Sequence, residues 1–380
     1  MTQHIKGLSA AGKVAFVTGV NGISGNAMVE YLIRQPEREW SKIVISSRSS
    51  LKVKWQDHRI EFLALDFLRP VEELIQSMKQ SCSDVTHAYF MSYVHVDDFT
   101  KLAGLNVPLF SNFLHSIDQV SGQNLQRVSL QTGGKHYGCH LGPCPAPMHE
   151  SHPRYNDQGQ NFYFNQQDEL VALSKQRSWG WNVIRPNAVI GCTPGRNGMS
   201  EALTMALYLL VCRETGEQVK FPGGAFIYDS PDDNSDSQGL SEITAWSSTA
   251  LHTKNEAFNY VNGDTFVWRY FLPEIGKYYG MDIGTNLELN LNLAEWAKDK
   301  EPIWQKICDK YGGDREAFSW ATWYLMDWLG QRTWCTLASM TKAREFGWTR
   351  HDDTVQSWYR TFKSLENEGI LPRIGHSNSV

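Results

Sequence analysis

The stretch Val14-Ala15-Phe16-Val17-Thr18-Gly19-Val20-Asn21-Gly22-Ile23-Ser24-Gly25 constrains this chain more than any other. Residues 14–17 form an apolar run that reads as a buried strand, and glycines at 19, 22 and 25 make the turn that follows. From Ala27 to Arg34, Met28, Tyr31 and Leu32 recur at helical spacing. Strand, glycine turn and helix in this order form the setting that a dinucleotide-binding fingerprint requires. Gly19 permits the tight turn, Gly22 lets the backbone approach a pyrophosphate, and Gly25 lets the helix pack close to the strand. The free N–H groups at the helix start then face the phosphates, aided by the helix dipole.

Further apolar strands are predicted over residues 41–47, 59–65, 87–93, 126–131 and 181–190, with helical stretches between them, one starting near Pro70 and one over 106–120. Strands alternating with helices give right-handed βαβ units and a Rossmann-type doubly wound parallel sheet. From Gly191 onward helices dominate, first over 199–214 and then in tryptophan-rich segments between 293 and 346. The division expected is a nucleotide-binding domain over 1–190 and a mostly helical substrate-binding cap over 191–380. A segment near 250–268, with a strand at 257–261, should return to the sheet. Trp296, Trp304, Trp320, Trp323, Trp328 and Trp334 are read as cap core, with an apolar pocket lining as the sharper alternative.

Composition narrows the function class. A net charge of −5 leaves no basic excess to neutralise phosphates, so nucleic acid is not an expected partner. Residues 1–12 lack the apolar core of a secretory signal, and the longest apolar run, 202–212, is too short to span a bilayer. Seven scattered cysteines suit a reducing compartment with free thiols. A soluble cytoplasmic protein acting on a small molecule is expected, with a homodimer left open.

The end of the second strand should meet the adenosine ribose of a bound dinucleotide. An acid there reads the 2′-hydroxyl of NAD, whereas an arginine accommodates the 2′-phosphate of NADP. No Asp or Glu lies between Lys42 and Asp57, and Arg48 stands among Ser46, Ser47 and Ser49. NADPH is therefore favoured over the plain reading of a solvated arginine. Asp66 closes the third strand, where it either accepts from the adenine amine or caps the next helix.

Hydride transfer also needs a group that handles charge on the substrate oxygen. Short-chain dehydrogenases use a tyrosine with a lysine one helical turn on; the lysine holds the cofactor ribose and makes the phenol more acidic. Tyr163 sits where the helix after strand five should begin, but Gln167 occupies the position four residues later. Lys175 lies about 18 Å further along a helix, out of reach. Lys135, just after strand five, is the best-placed amine. The segment from Lys135 to Cys144 also holds His136, Cys139 and His140, but their spacing matches no common zinc pattern and no metal is expected. Asp97 and Asp98 read as an exposed loop.

Residues 18–28, Gln131-Thr132-Gly133-Gly134-Lys135-His136-Tyr137-Gly138, Asn161-Phe162-Tyr163, Arg185-Pro186, Phe258-Asn259 with Asn262-Gly263-Asp264, Trp268 and Phe346-Gly347 run in order across nearly the whole chain. In this combination the chain resembles the progesterone 5β-reductase / iridoid synthase family, extended short-chain dehydrogenases with the same displaced lysine. The resemblance implies an NADPH-dependent reductase of activated C=C bonds acting on an apolar carbonyl substrate. It implies catalysis by Tyr163 and Lys135, with cofactor contacts at Thr18, Gly19, Asn21, Gly22, Ile23, Gly25, Ser47, Arg48, Asp66, Phe67, Ser92, Thr132, Pro186 and Val189, as well as at Lys135 and Tyr163 themselves. Tyr93, His95, Tyr137 and Phe164 are the expected substrate-pocket residues. The chain departs from the family at Phe164, where a second tyrosine is usual, at Gln167-Asp168 for a Glu-Asp pair, at Ser49 for a second arginine, and at Tyr93 for a tryptophan. The same residues would also serve a carbonyl reductase or a cofactor-retaining isomerase or cyclase, which the sequence does not separate.

Overall fold

The computed structural model describes residues 12–52, 55–96 and 99–374; the Asp97-Asp98 loop lies outside them. Seven strands form one parallel sheet: β1 (Lys13–Thr18), β2 (Trp40–Ser47), β3 (Ile60–Ala64), β4 (His87–Phe90), β5 (Arg127–Gln131), β6 (Gly180–Pro186) and β7 (Glu256–Tyr260), in the spatial order β3-β2-β1-β4-β5-β6-β7. Period-two alternation along β1 divides the core between the faces. Phe16 packs with Leu74, Phe110, Phe113 and Leu170, from the helices α2 (Val71–Cys82), α3 (Leu102–Ser121) and α4 (Phe162–Ser174). Ala15 and Val17 face the other way, onto Met28, Val29 and Leu32 of α1 (Ile23–Ile33).

The order reverses between β1 and β4, and open α/β sheets hold ligands outside the strand ends at such a switch point. Two expected strands end early for that reason. β4 stops at Phe90, and Met91 N instead donates to Thr18 Oγ1 at 3.0 Å, turning residues 91–93 over the strand ends. β6 stops at Pro186, and Val189–Ile190 pairs with Ser235–Asp236 outside the main sheet.

The returning segment begins earlier than the sequence indicates. Helix Ser237–Thr249 packs against α1 before β7 enters the sheet, and Ser248 Oγ meets Tyr89 Oη at 2.8 Å. Beyond it the C-terminal region is helical. Its centre is α5 (Glu201–Thr215), buried continuously from Glu201 to Cys212, as expected of a helix apolar on all sides. Helices Trp268–Lys277, Glu301–Tyr311 and Thr354–Asn367 enclose it with Trp268, Phe271, Trp304 and Trp358. No helix among the described residues is long and apolar enough to cross a membrane.

Candidate active site

A cleft of about 580 Å³ follows the strand ends between the sheet and the helical region. Its first part is the glycine turn after β1. Gly19 has φ +68°, and a Cβ there would stand 2.6 Å from the Met91 carbonyl oxygen. A Cβ at Gly25 would overlap the Gly19 carbonyl, so α1 can sit this close to the turn only with glycine at both positions. Gly22 is the N-cap of α1 and offers no side chain to its first amides, leaving Ile23 and Ser24 on the cleft wall. Helix N-terminal amides without a side-chain partner suit a pyrophosphate. Thr18 and Gly25 stand behind the wall and shape it.

Ser47, Arg48 and Ser49 continue the wall at the end of β2, with Arg48 exposed. Asn21 ties this loop to the glycine turn: its Nδ2 donates to Ser47 Oγ (3.2 Å), Ser49 Oγ (3.2 Å) and the Ser50 carbonyl (3.0 Å). Asp66 and Phe67 line the next segment, and Asp66 Oδ1 accepts from Leu68 N at 3.1 Å. That bond closes a local turn ahead of α2, whose N-cap is Pro70 without a side-chain cap bond, so Asp66 does not cap the helix and stays on the cleft.

The second part of the cleft brings together groups remote in sequence. Lys135 lies in the short turn Gly134–Tyr137 after β5, and Tyr163 lies in the first turn of α4. Asn161, the N-cap of α4, joins them: its Oδ1 accepts from Tyr163 N at 3.1 Å and its Nδ2 donates to the Lys135 carbonyl at 2.9 Å. Both side chains line the cleft, beside Ser92, Tyr93, His95, Thr132, Pro186 and Val189. A Cβ on Gly133 would lie 3.7 Å from Tyr163 Oη, so the phenol reaches the loop after β5. Lys135 Nζ donates to Tyr93 Oη at 3.0 Å. Burial disfavours the charged forms here: it pushes Lys135 down to about 8 and Tyr93 up to about 12. Tyr163 is raised as well, by burial and then by the neighbouring Tyr93 and Cys139. Tyr163 is thus a neutral phenol, a hydrogen-bond donor, at physiological pH.

Two expected pocket residues lie elsewhere. Tyr137 turns behind the wall, where its phenol donates to Asn259 Oδ1 at 2.6 Å and accepts from Arg185 Nη1 at 3.0 Å. Phe164 is one residue beyond Tyr163, a rotation of about 100° on a helix, and so faces away. It packs on His136 and Tyr155 at 5.0 and 5.5 Å, with the Arg154 guanidinium 4.6 Å from its ring. His136 is buried there, and burial together with the Arg185 and Arg154 charges holds it neutral. Of the six tryptophans, Trp328 lines the cleft, Trp304 is cap core, and Trp334 Nε1 donates to the Cys139 carbonyl at 2.9 Å.

Sequence reasoning missed the polar part of the cleft that the helical region supplies. Glu201, Asp232 and Arg332 line it, with Arg332 Nη2 3.1 Å from Asp232 Oδ2. The one local signal was a glutamate opening an otherwise apolar helix.

The family model described as PRISE-like Rossmann-fold domain matches residues 15–372. A short chain dehydrogenase, gsfE, of Penicillium aethiopicum is 42% identical over 376 residues, covering 95% of this chain and 100% of its own. A 3-oxo-Delta(4,5)-steroid 5-beta-reductase of Arabidopsis thaliana is 28% identical, covering 93% of this chain and 92% of its own. An (S)-8-oxocitronellyl enol synthase of Nepeta cataria is 28% identical, covering 94% and 93%. Among solved structures, a UDP-glucose 4-epimerase from Thermotoga maritima superposes with a TM-score of 0.64 at 15% identity, over 93% of this chain and 99% of that one, a likeness of fold.

Proposed function

Because this chain belongs to the PRISE-like Rossmann-fold family, we propose that it is an NADPH-dependent reductase of the activated C=C bond of an apolar enone or enal, of terpenoid, steroid or polyketide type. The coarser description needs no proposal: it is an oxidoreductase of the short-chain dehydrogenase/reductase type with a nicotinamide-binding Rossmann fold and a small-molecule substrate.

The glycine cradle and the uncapped start of α1 fit a dinucleotide, and the acid-free end of β2 with Arg48 fits a 2′-phosphate. Gly22, Ile23 and Ser24 would hold the pyrophosphate, Arg48 with Ser47 and Ser49 the 2′-phosphate, and Lys135 the nicotinamide ribose. When bound, NADPH supplies the hydride. Tyr163 donates a hydrogen bond to the substrate carbonyl oxygen, where negative charge builds as the conjugated double bond is reduced. A donor aimed at developing charge lowers the barrier more than it stabilises the bound substrate. The Lys135 ammonium adds a positive field in a buried setting where charges are poorly screened. Leu325, Trp328 and Leu329 give the cleft an apolar flank for a ring-bearing substrate.

The observation that carries this reading is the Asn161 bridge, which seats Lys135 and Tyr163 on one cleft wall. The test is a screen of cyclic and acyclic enones with NADPH, with products identified by mass and NMR. The saturated ketone is expected. The allylic alcohol would point to carbonyl reduction by the same pair, and a product at unchanged oxidation level to a cofactor-retaining isomerase or cyclase.

A further inference from the structure

Glu201 is 6% exposed and opens α5, the most buried helix of the chain. It lines the cleft with no protein group bonded to its carboxyl among the described residues, and the carboxyl oxygens are open to the cleft rather than sealed in the core. Its charged neighbours are committed elsewhere. Arg332 donates through Nη2 to Asp232 Oδ2 at 3.1 Å, through Nη1 to Thr336 Oγ1, and through Nε to the Leu329 carbonyl at 3.1 Å. Asp232 also accepts from Trp268 Nε1 at 3.3 Å and from Asp233 N at 3.1 Å. This cluster adjoins the catalytic turn. Asn187 Nδ2 donates to Asp233 Oδ1 at 2.6 Å, and its Oδ1 would lie 3.1 Å from a Cβ on Gly134, the residue before Lys135.

A carboxyl set in a largely buried residue, with its oxygens facing a cleft and no protein group bonded to them, is placed to meet a ligand's polar group. Burial raises Glu201 to about 8, the Asp232 charge adds to that, and Arg332 opposes it. At neutral pH the group is therefore an uncharged acid, able both to donate and to accept. An anionic ligand gains little here, because Arg332 is already neutralised by Asp232. We propose that Glu201 is a specificity-determining residue of the substrate site, hydrogen-bonding a neutral oxygen (hydroxyl, ether or carbonyl) that the substrate carries away from its reacting double bond. The proposal rests on the enone-reductase reading for the word substrate, but the binding site itself does not. A small adjoining cavity of about 20 Å³, lined by Glu201, Asp232 and Arg332, has room for one water, which is the rival partner.

The test compares a panel of cyclic enones bearing a hydroxyl at successive remote positions with matched methyl analogues. Wild type, Glu201→Gln and Glu201→Leu are assayed for kcat/KM, and calorimetry gives Kd for the corresponding saturated ketones on NADP-loaded protein. For at least one hydroxyl isomer, Glu201→Leu should lower kcat/KM and weaken ketone binding by about 10- to 100-fold, with the loss in KM and not in kcat. Glu201→Gln should stay within about threefold, because it keeps a donor and an acceptor. The methyl analogues should be unchanged or improved in both variants. Equal losses for hydroxyl and methyl members, seen also in the near-isosteric Glu201→Gln, would reduce Glu201 to a structural role and overturn the proposal. No discrimination at any position would assign the carboxyl to a water, and tighter binding of an amino analogue would assign it to a cation; either result overturns the proposal. If no enone is reduced but ketone binding still tracks Glu201, the subsite stands and the enone reading fails.

Discussion

Lys135 Nζ donates a 3.0 Å hydrogen bond to Tyr93 Oη, at the position where the resembled family usually carries a tryptophan. The amine therefore has a polar partner supplied by the segment that follows the adjacent strand, β4. Burial favours its neutral form and places its proton loss near 8, while the Tyr93 phenol stays protonated to about 12. The ammonium is present below pH 8 and is lost above it. kcat/KM should hold level to about pH 7.5 and fall tenfold per unit above about 8. Lys135→Arg should carry that decline beyond the measurable range while lowering the plateau. A wild-type profile that stays flat to high pH would remove the cation from the mechanism.

Tyr163→Phe deletes one hydroxyl from the cleft wall. Loss of an oxygen-directed donor should cut turnover by about 10²- to 10⁴-fold. Cofactor Kd, read by nicotinamide fluorescence, should scarcely move. Full activity in this variant would pass the donor role to Tyr93, the other phenol lining the cleft; Tyr137 is excluded by its bonds to Asn259 and Arg185.

Arg48 stands exposed at the end of β2, in a stretch with no Asp or Glu between Lys42 and Asp57. Arg48→Ala should weaken NADPH by about 10- to 100-fold, the worth of charge-assisted hydrogen bonds, and leave NADH nearly unchanged. Equal affinities for the two cofactors in the wild type would contradict the 2′-phosphate assignment.

Stability should carry the imprint of Glu201. Its carboxyl loses its proton near the ordinary 4.5 when unfolded and, because burial disfavours the charge, near 8 when folded. Between those limits the native state keeps a proton that the unfolded chain has released, so this group lowers stability as pH rises through that window. Glu201→Gln should therefore shrink the drop in Tm between pH 6.5 and 8.5. An identical pH dependence in both proteins would mean the carboxyl is ionised in the folded state.

The legible parts of the fold were those written in contiguous residues. The β1–α1 turn could be read because Gly19 and Gly25 must lack a side chain for reasons local to that turn. Lys135 stands out in the sequence by the failure of the usual four-residue spacing, and Asn161 shows how it comes to lie near Tyr163: the cap of one helix fixes the turn of another segment. Tyr137 and Phe164 were misplaced because closeness in sequence to a site residue says nothing about which way a helix or a tight turn points the next side chain. The 91–93 segment read as strand, since its apolar residues are equally good for a sheet and for a cleft wall. Glu201, Asp232 and Arg332 come from three distant segments that only the folded helical region assembles, so no window of sequence displayed them.

Conjugate reduction is distinguished most directly by where the hydride ends. NADPH deuterated at the transferring nicotinamide carbon, incubated with the enzyme and a cyclic enone, gives a product whose label is located by NMR. Deuterium on the β-carbon of a saturated ketone is the expected result. Deuterium on the carbinol carbon of an allylic alcohol, or a product carrying no deuterium, would contradict the assignment of this cleft to conjugate reduction.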